Sequence, residues 1–229
     1  MIKKIVILLL AVNSLISQNI NLSNGYLFNG EPYLALNPNN PRHLVVAWMG
    51  FDPPQRIAIM TRTSFDGGET WTKKLKINHE NNVYSSADPT MAFDKNGDLY
   101  LVYIDFDRPV ETADSGAIFI RKSTTGGLSW GKSYKITDMK DEPGKKAIDR
   151  PWIVIDNSNG LYSGNIYVTS MNAKGASPPY NPYVHISTDS GVSWITRKLD
   201  TTDYLSGQII TQPFPSPTVS SDGIFHAVY

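Results

Sequence analysis

A single eight-residue pattern, S-x-[D/T]-x-G-x-[T/S]-W, occurs three times and limits what this chain can fold into more than any other feature. It runs from Ser64 to Trp71, from Ser123 to Trp130 and from Ser187 to Trp194. Each position has a physical role in a tight β-hairpin. The third residue (Asp66, Thr125 or Asp189) accepts hydrogen bonds from nearby amides. The glycine (Gly68, Gly127 or Gly191) adopts backbone angles that other residues avoid, and the tryptophan anchors the returning strand. Three copies about 60 residues apart mark a long repeat, the signature of a solenoid or a propeller.

The repeat extends beyond the turn. A second register starts at Pro32, Pro89, Pro151 and, more weakly, Pro217, where alternating apolar residues end on Asn37, Asp94, Asp156 and Asp222. Such alternation running into a turn reads as a strand. A second apolar strand follows at 44–48, 99–103, 165–169 and 224–229, a third at 57–63, 117–122 and 183–186, and a fourth from each tryptophan, at 71–77, 130–136 and 194–199. Four antiparallel strands per unit with no helical pattern between them predict an all-β fold, a β-propeller of four-stranded blades. The prolines fall at the first residue of each first strand, where a sheet tolerates them. The blades are expected at about 30–80, 86–140 and 148–200, with a half blade at 214–229 and a lead-in at 18–29. An arc of this kind is expected to be the N-terminal part of a larger ring, whose remaining blades are its partners; an oligomer that completes the ring is the alternative. The three tryptophans are expected to be largely buried against their own blades. The second turn, with Thr125 in place of a carboxylate, is expected to be the least tightly bonded.

Composition narrows the function. The chain has 229 residues, no cysteine and 21 basic against 21 acidic side chains. There is therefore no disulfide and no thiolate metal site, and with zero net charge and no basic run nucleic acid is not expected as a partner. His43, His79, His185 and His226 lack ligand spacing, and Asp94 to Asp98 reads as an Asn-Gly hairpin rather than a calcium loop, so neither a metal nor a cofactor is expected. Residues 1–17 combine Lys3 and Lys4 with an apolar stretch too short to span a membrane, which reads as a signal peptide. Cleavage would leave no transmembrane segment and a secreted or extracytoplasmic protein, in the periplasm or at the cell surface.

The triplicated turn resembles the Asp-box, or BNR repeat, of the sialidase superfamily. The segments Glu31 to Pro38 and Asp149 to Asp156 look like those of secreted, sialidase-like bacterial proteins. The resemblance covers residues 30–229 and implies a propeller that is six-bladed when complete. It makes the Asp-box residues Ser64, Asp66, Gly68, Trp71, Ser123, Thr125, Gly127, Trp130, Ser187, Asp189, Gly191 and Trp194 structural, on the side opposite the active site. It places chemistry on the connections entering the first strands, which carry Glu31, Asp88, Asp149 and Arg150. It also points to those between second and third strands, which carry Asp52, Gln55, Arg56, Asp105, Asp107, Arg108, Asn172, Tyr180 and Asn181. A retaining sialidase uses an arginine cluster for the substrate carboxylate, a Tyr/Glu nucleophile pair and an Asp acid/base. The family's opening Arg-Ile-Pro is replaced here by Glu31-Pro32-Tyr33, and Asp52 is the weak candidate for the acid/base. The nucleophile pair and further arginines are expected on later blades. Glu31, Arg56, Asp88, Asp149 and Arg150 are the ligand-binding candidates, although Arg150 also suits a structural pair with Asp149 or Asp88. Two functions follow, a glycoside hydrolase or a noncatalytic propeller that binds glycan or protein. In either case residues 18–229 alone are expected to hydrolyse no sialoside.

Overall fold

The computed structural model describes residues 19–25, 27–53, 56–107, 112–173, 176–177, 180–200 and 214–229. The proposed leader, Gln55 and Arg108 lie outside them. The first sheet joins β1 (Asn29–Asn37), β2 (Asn40–Asp52), β3 (Arg56–Ser64) and β4 (Leu75–Lys76) in sequence order. The second joins β5 (Ser85–Phe93), β6 (Leu99–Phe106), β7 (Gly116–Ser123) and β8 (Ser133–Asp138). The third joins β9 (Asp149–Ile155), β10 (Ile166–Met171), β11 (Pro182–Ser187) and β12 (Ile195–Lys198), and β13 (Ser216–Val219) pairs with β14 (Phe225–Val228). All pairings are antiparallel. The first strands β1, β5, β9 and β13 contact one another in series, so the sheets radiate as blades from a shared inner edge.

Burial on both faces explains the sequence of the middle blade. Strand β6 is buried along its whole length, between β5 and β7 in its own sheet and against β9 of the third. One continuous core runs from Val45, Ala47 and Ile59 through Met91, Leu101 and Ile118 to Ile153 and Val168. The opposite face of the first blade carries Val46, Trp48, Ala58 and Met60, covered by Leu22 and Trp71.

The Asp-box turns fold largely as the residues dictate. Asp66 Oδ1 accepts from Thr70 N at 2.9 Å, and Asp189 Oδ1 accepts from Val192 N at 3.1 Å and Ser193 N at 2.9 Å. In each turn the first serine hydroxyl accepts from the second glycine-position amide, at 2.8 to 2.9 Å. Two expectations need correction. The second turn makes as many side-chain to backbone bonds as the first. The Thr125 hydroxyl accepts from Ser129 N at 2.9 Å and donates to Ser129 O at 3.3 Å, so one oxygen replaces much of a carboxylate. The tryptophans, moreover, are half-buried: Trp71 covers the outer face of its own blade, whereas the second and third hairpins lie at the boundary with the preceding blade. Trp130 donates to Thr61 of the first blade at 3.4 Å, and Gly126 O accepts from His43 Nε2 at 2.9 Å and Thr63 Oγ1 at 3.3 Å. The second and third turns are therefore staples between blades.

The prolines also differ from the expected position. Pro32, Pro89 and Pro151 lie inside β1, β5 and β9, and the pairing slips beside each of them, between Gly30 and Tyr33, between Ala87 and Thr90, and opposite Thr169 to Met171. A β-bulge leaves one position without a ladder bond, so an imide nitrogen with no hydrogen costs nothing there.

Candidate functional site

Each bulge aims one side chain at the inner edge. The residue before the proline takes a left-handed backbone in all three blades, with φ of 49° at Glu31, 53° at Asp88 and 48° at Arg150. A non-glycine residue there costs on the order of 1 to 3 kcal/mol and persists only where its surroundings hold it. The same strained device in three successive blades brings Glu31, Asp88 and Arg150 to one cleft of about 320 Å³, which Tyr33, Thr90, Trp152 and Phe214 also line.

The carboxyls touch. Glu31 shares a hydrogen bond with Asp88, and Asp88 shares one with Asp149. Asp88 Oδ2 also accepts from the Arg150 amide at 2.9 Å. Two carboxyls that share a hydrogen bond must hold a proton between them. Glu31 keeps it: the bond to Asp88, then burial, then repulsion from Asp88 push Glu31 up to about 8. Burial raises Asp88, and the charge of Asp149 raises it further, while bonds from Glu31 and the Arg150 amide oppose the rise. Burial likewise raises Asp149, opposed by Asp88 and by the Arg150 charge. Arg150 carries its guanidinium 5.5 Å from the Phe214 ring. Trp152 meets Tyr33 edge-on at 5.9 Å and Phe214 at 5.5 Å, which completes an aromatic wall beside the acids.

Asp52, Arg56, Asp105, Asn172 and Asn181 are spent on structure. Asp52 is buried beneath Lys76, whose ammonium donates to it at 3.1 Å, and Arg56 approaches its other oxygen at 3.8 Å. Arg56 also donates to Asn82 O, tying the first blade to the loop that enters the second. Asp105 is fully buried and accepts from His79 Nδ1 and Ser86 Oγ, both at 2.9 Å, and from Glu80 N at 2.6 Å. Asn172 donates to Lys145 O and accepts from Asn181 N, which closes the loop after β10.

Two Tyr/Glu pairs do occur in this chain, although the pair was expected only on later blades. Tyr103 donates to Glu80 and Tyr183 to Glu142, each at 2.8 Å. Both tyrosines are buried within their sheets, and burial pushes the Tyr183 phenol up to about 12 and raises Tyr103 as well. Hydroxyls so reluctant to ionise are braces; the pairs lock the entry loops onto the second and third blades. Sequence reasoning missed the aromatic wall as well. Its signal was present, since Tyr33, Thr90 and Trp152 each follow the repeated proline. Among the described residues no group of three or more histidines or acids is arranged to hold a metal ion.

No family model matches the chain. A sialidase of Micromonospora viridifaciens is 24 % identical over 144 residues, covering 58 % of this chain and 22 % of that protein. The leech intramolecular trans-sialidase, solved with 2,7-anhydro-Neu5Ac, superposes with a TM-score of 0.63 at 12 % identity, over 91 % of this chain and 48 % of that one. The GH93 α-L-arabinofuranosidase of Fusarium graminearum, solved with arabinobiose, gives 0.55 at 14 % identity, over 82 % and 52 %. The chain thus spans about a fifth of the curated relative and about half of each of these structures. With its four-stranded blades, its inner edge of first strands and these likenesses, the chain has a sialidase-like β-propeller fold.

Proposed function

We infer that the chain carries the glycan-directed face of a secreted, sialidase-like propeller of glycoside-hydrolase type, with Glu31, Asp88, Asp149 and Arg150 as its polar centre. The observation that carries this reading is the convergence of Glu31, Asp88 and Arg150 on one aromatic-walled cleft, each delivered by a strained bulge, with Asp149 bonded to Asp88 behind them. Glycosidic cleavage needs an acid that is still protonated near neutral pH and carboxylates that face the positive charge developing on the sugar. Glu31, held up to about 8, is suited to the first task. Asp88 and Asp149 are suited to the second, and Arg150 to orienting hydroxyls. Aromatic side chains with a few convergent polar groups are the usual make-up of a small-molecule pocket. The likeness to a trans-sialidase and an arabinofuranosidase solved with sugars supports a glycan as ligand. The basic, apolar leader at 1–17 supports an extracytoplasmic location, and further blades of the same ring are its partners.

The test uses the chain from residue 18 on a glycan array and on chromogenic glycosides. The expected result is glycan binding that the Asp88→Asn, Asp149→Asn double variant weakens more than tenfold. Glu31→Gln should leave binding in place while lowering any turnover by about 10² to 10⁴. Binding untouched by the double variant would move the site elsewhere. Binding without turnover at any pH assigns the noncatalytic role.

A further inference from the structure

The charges of the cleft select among sugars. Glu31 and Asp88 line it, and Asp149 is bonded to Asp88 behind them. Arg150 is the one described cationic residue on the lining. Its charge acts on Asp149, and its guanidinium lies over Phe214 at 5.5 Å. Two arginines that could have served are held elsewhere, Arg56 by Asp52 and Arg121 by Glu80 at 2.7 Å. A sugar carboxylate needs a guanidinium presented edge-on for two parallel hydrogen bonds. Here it would meet a guanidinium laid over an aromatic ring and the charges of Asp88 and Asp149 close by, where like charges repel. The apolar side of the cleft points the same way: Tyr33, Trp152 and Phe214 offer faces and edges for the C–H surface of a sugar ring.

We propose that this cleft takes an uncharged sugar unit and excludes sugars that carry a carboxylate, sialic and uronic acids alike. The selectivity rests on the glycan-directed reading of the same cleft. It departs from the substrate that a sialidase-like fold suggests, and it does so because two of the three first-strand positions on the lining carry acids and the third, Arg150, lies against Phe214.

The test is an array of neutral and carboxylate-bearing glycans probed with the chain from residue 18, followed by saturation-transfer NMR on matched pairs. Methyl galactoside against methyl galacturonide, and methyl glucoside against methyl glucuronide, differ only in the carboxylate. The expected hits are neutral, and the neutral member of a pair binds at least tenfold more tightly. Asp149→Asn should narrow that gap several-fold. Arg150→Asn should widen it, asparagine being well suited to the left-handed backbone at that position. Opposite responses of two variants of equal melting temperature separate charge from misfolding. Acidic hits that are lost in Asp88→Asn would overturn the selectivity and leave the glycan-directed cleft standing. An array with no hits of either kind would overturn both.

Discussion

The Asp-box turns and the inner-edge bulges use the same side chain in opposite ways. At the turns, Asp66 and Asp189 spend their oxygens on hydroxyl and amide donors of their own hairpins, and both are held below the usual carboxylate range, Asp189 at about 2. At the bulges, Glu31, Asp88 and Asp149 bond to one another, and all three are raised. A turn carboxylate is stabilised by what surrounds it. A cleft carboxyl is crowded against its own kind, beside or on a strained backbone that its surroundings must hold in place.

The largest effect expected from breaking the staples is at Gly127. Its φ is 87°, and an added Cβ would lie 2.7 Å from Thr63 Oγ1 and 3.1 Å from Val45 of the preceding blade. Gly127→Ala should destabilise by about 3 kcal/mol, read from chemical denaturation. Trp194→Ala should cost about 2 kcal/mol, less than the 3 to 5 typical of a fully buried ring, because this one is half-exposed. At the cleft the sign reverses. Asp88→Asn should raise stability by about 0.5 to 1 kcal/mol, since it removes like-charge repulsion and suits φ of 53°, whereas Asp189→Asn should lower the melting temperature. The pH dependence should divide the same way. Glu31 keeps in the folded state a proton that the unfolded chain loses at an ordinary 4.5, so its contribution declines as pH rises from 4.5 to about 8. Asp189 contributes above 3.8 and loses that contribution as pH falls toward about 2. Urea midpoints across pH should show both limbs, and Glu31→Gln should flatten only the upper one. The smallest effect is expected at Asp52, where Asp52→Asn should cost about 0.5 kcal/mol, as for a partly exposed ion pair, and leave ligand binding unchanged.

The two regions also differ in how far the sequence reveals them. An Asp-box turn is local: serine, acid, glycine and tryptophan lie within eight residues, and their bonds close inside that span. The strands were legible for the same reason, as alternation read along the chain. That Trp130 bonds to Thr61 depends on how one blade meets the next, and nothing within the motif encodes it. The bulges are nonlocal too. Glu31, Asp88 and Arg150 stand before prolines in plain view, but their left-handed backbone follows from the slipped register with β2, β6 and β10. The topology implied by the resemblance brought the four polar residues into consideration. It could not show that Asp88 sits between two other acids, or that Asp52 is neutralised by Lys76.

The central claim is that the cleft acids hold a shared proton that the turn acids do not. Carboxyl ¹³C titration by NMR, with Glu31 assigned by comparison with Glu31→Gln, measures this directly. The account predicts that Glu31 titrates near 8 in the native chain and moves well down toward 4.5 when Asp88→Ala removes its partner. A native Glu31 that titrates in the ordinary carboxylate range, indifferent to Asp88, would contradict it.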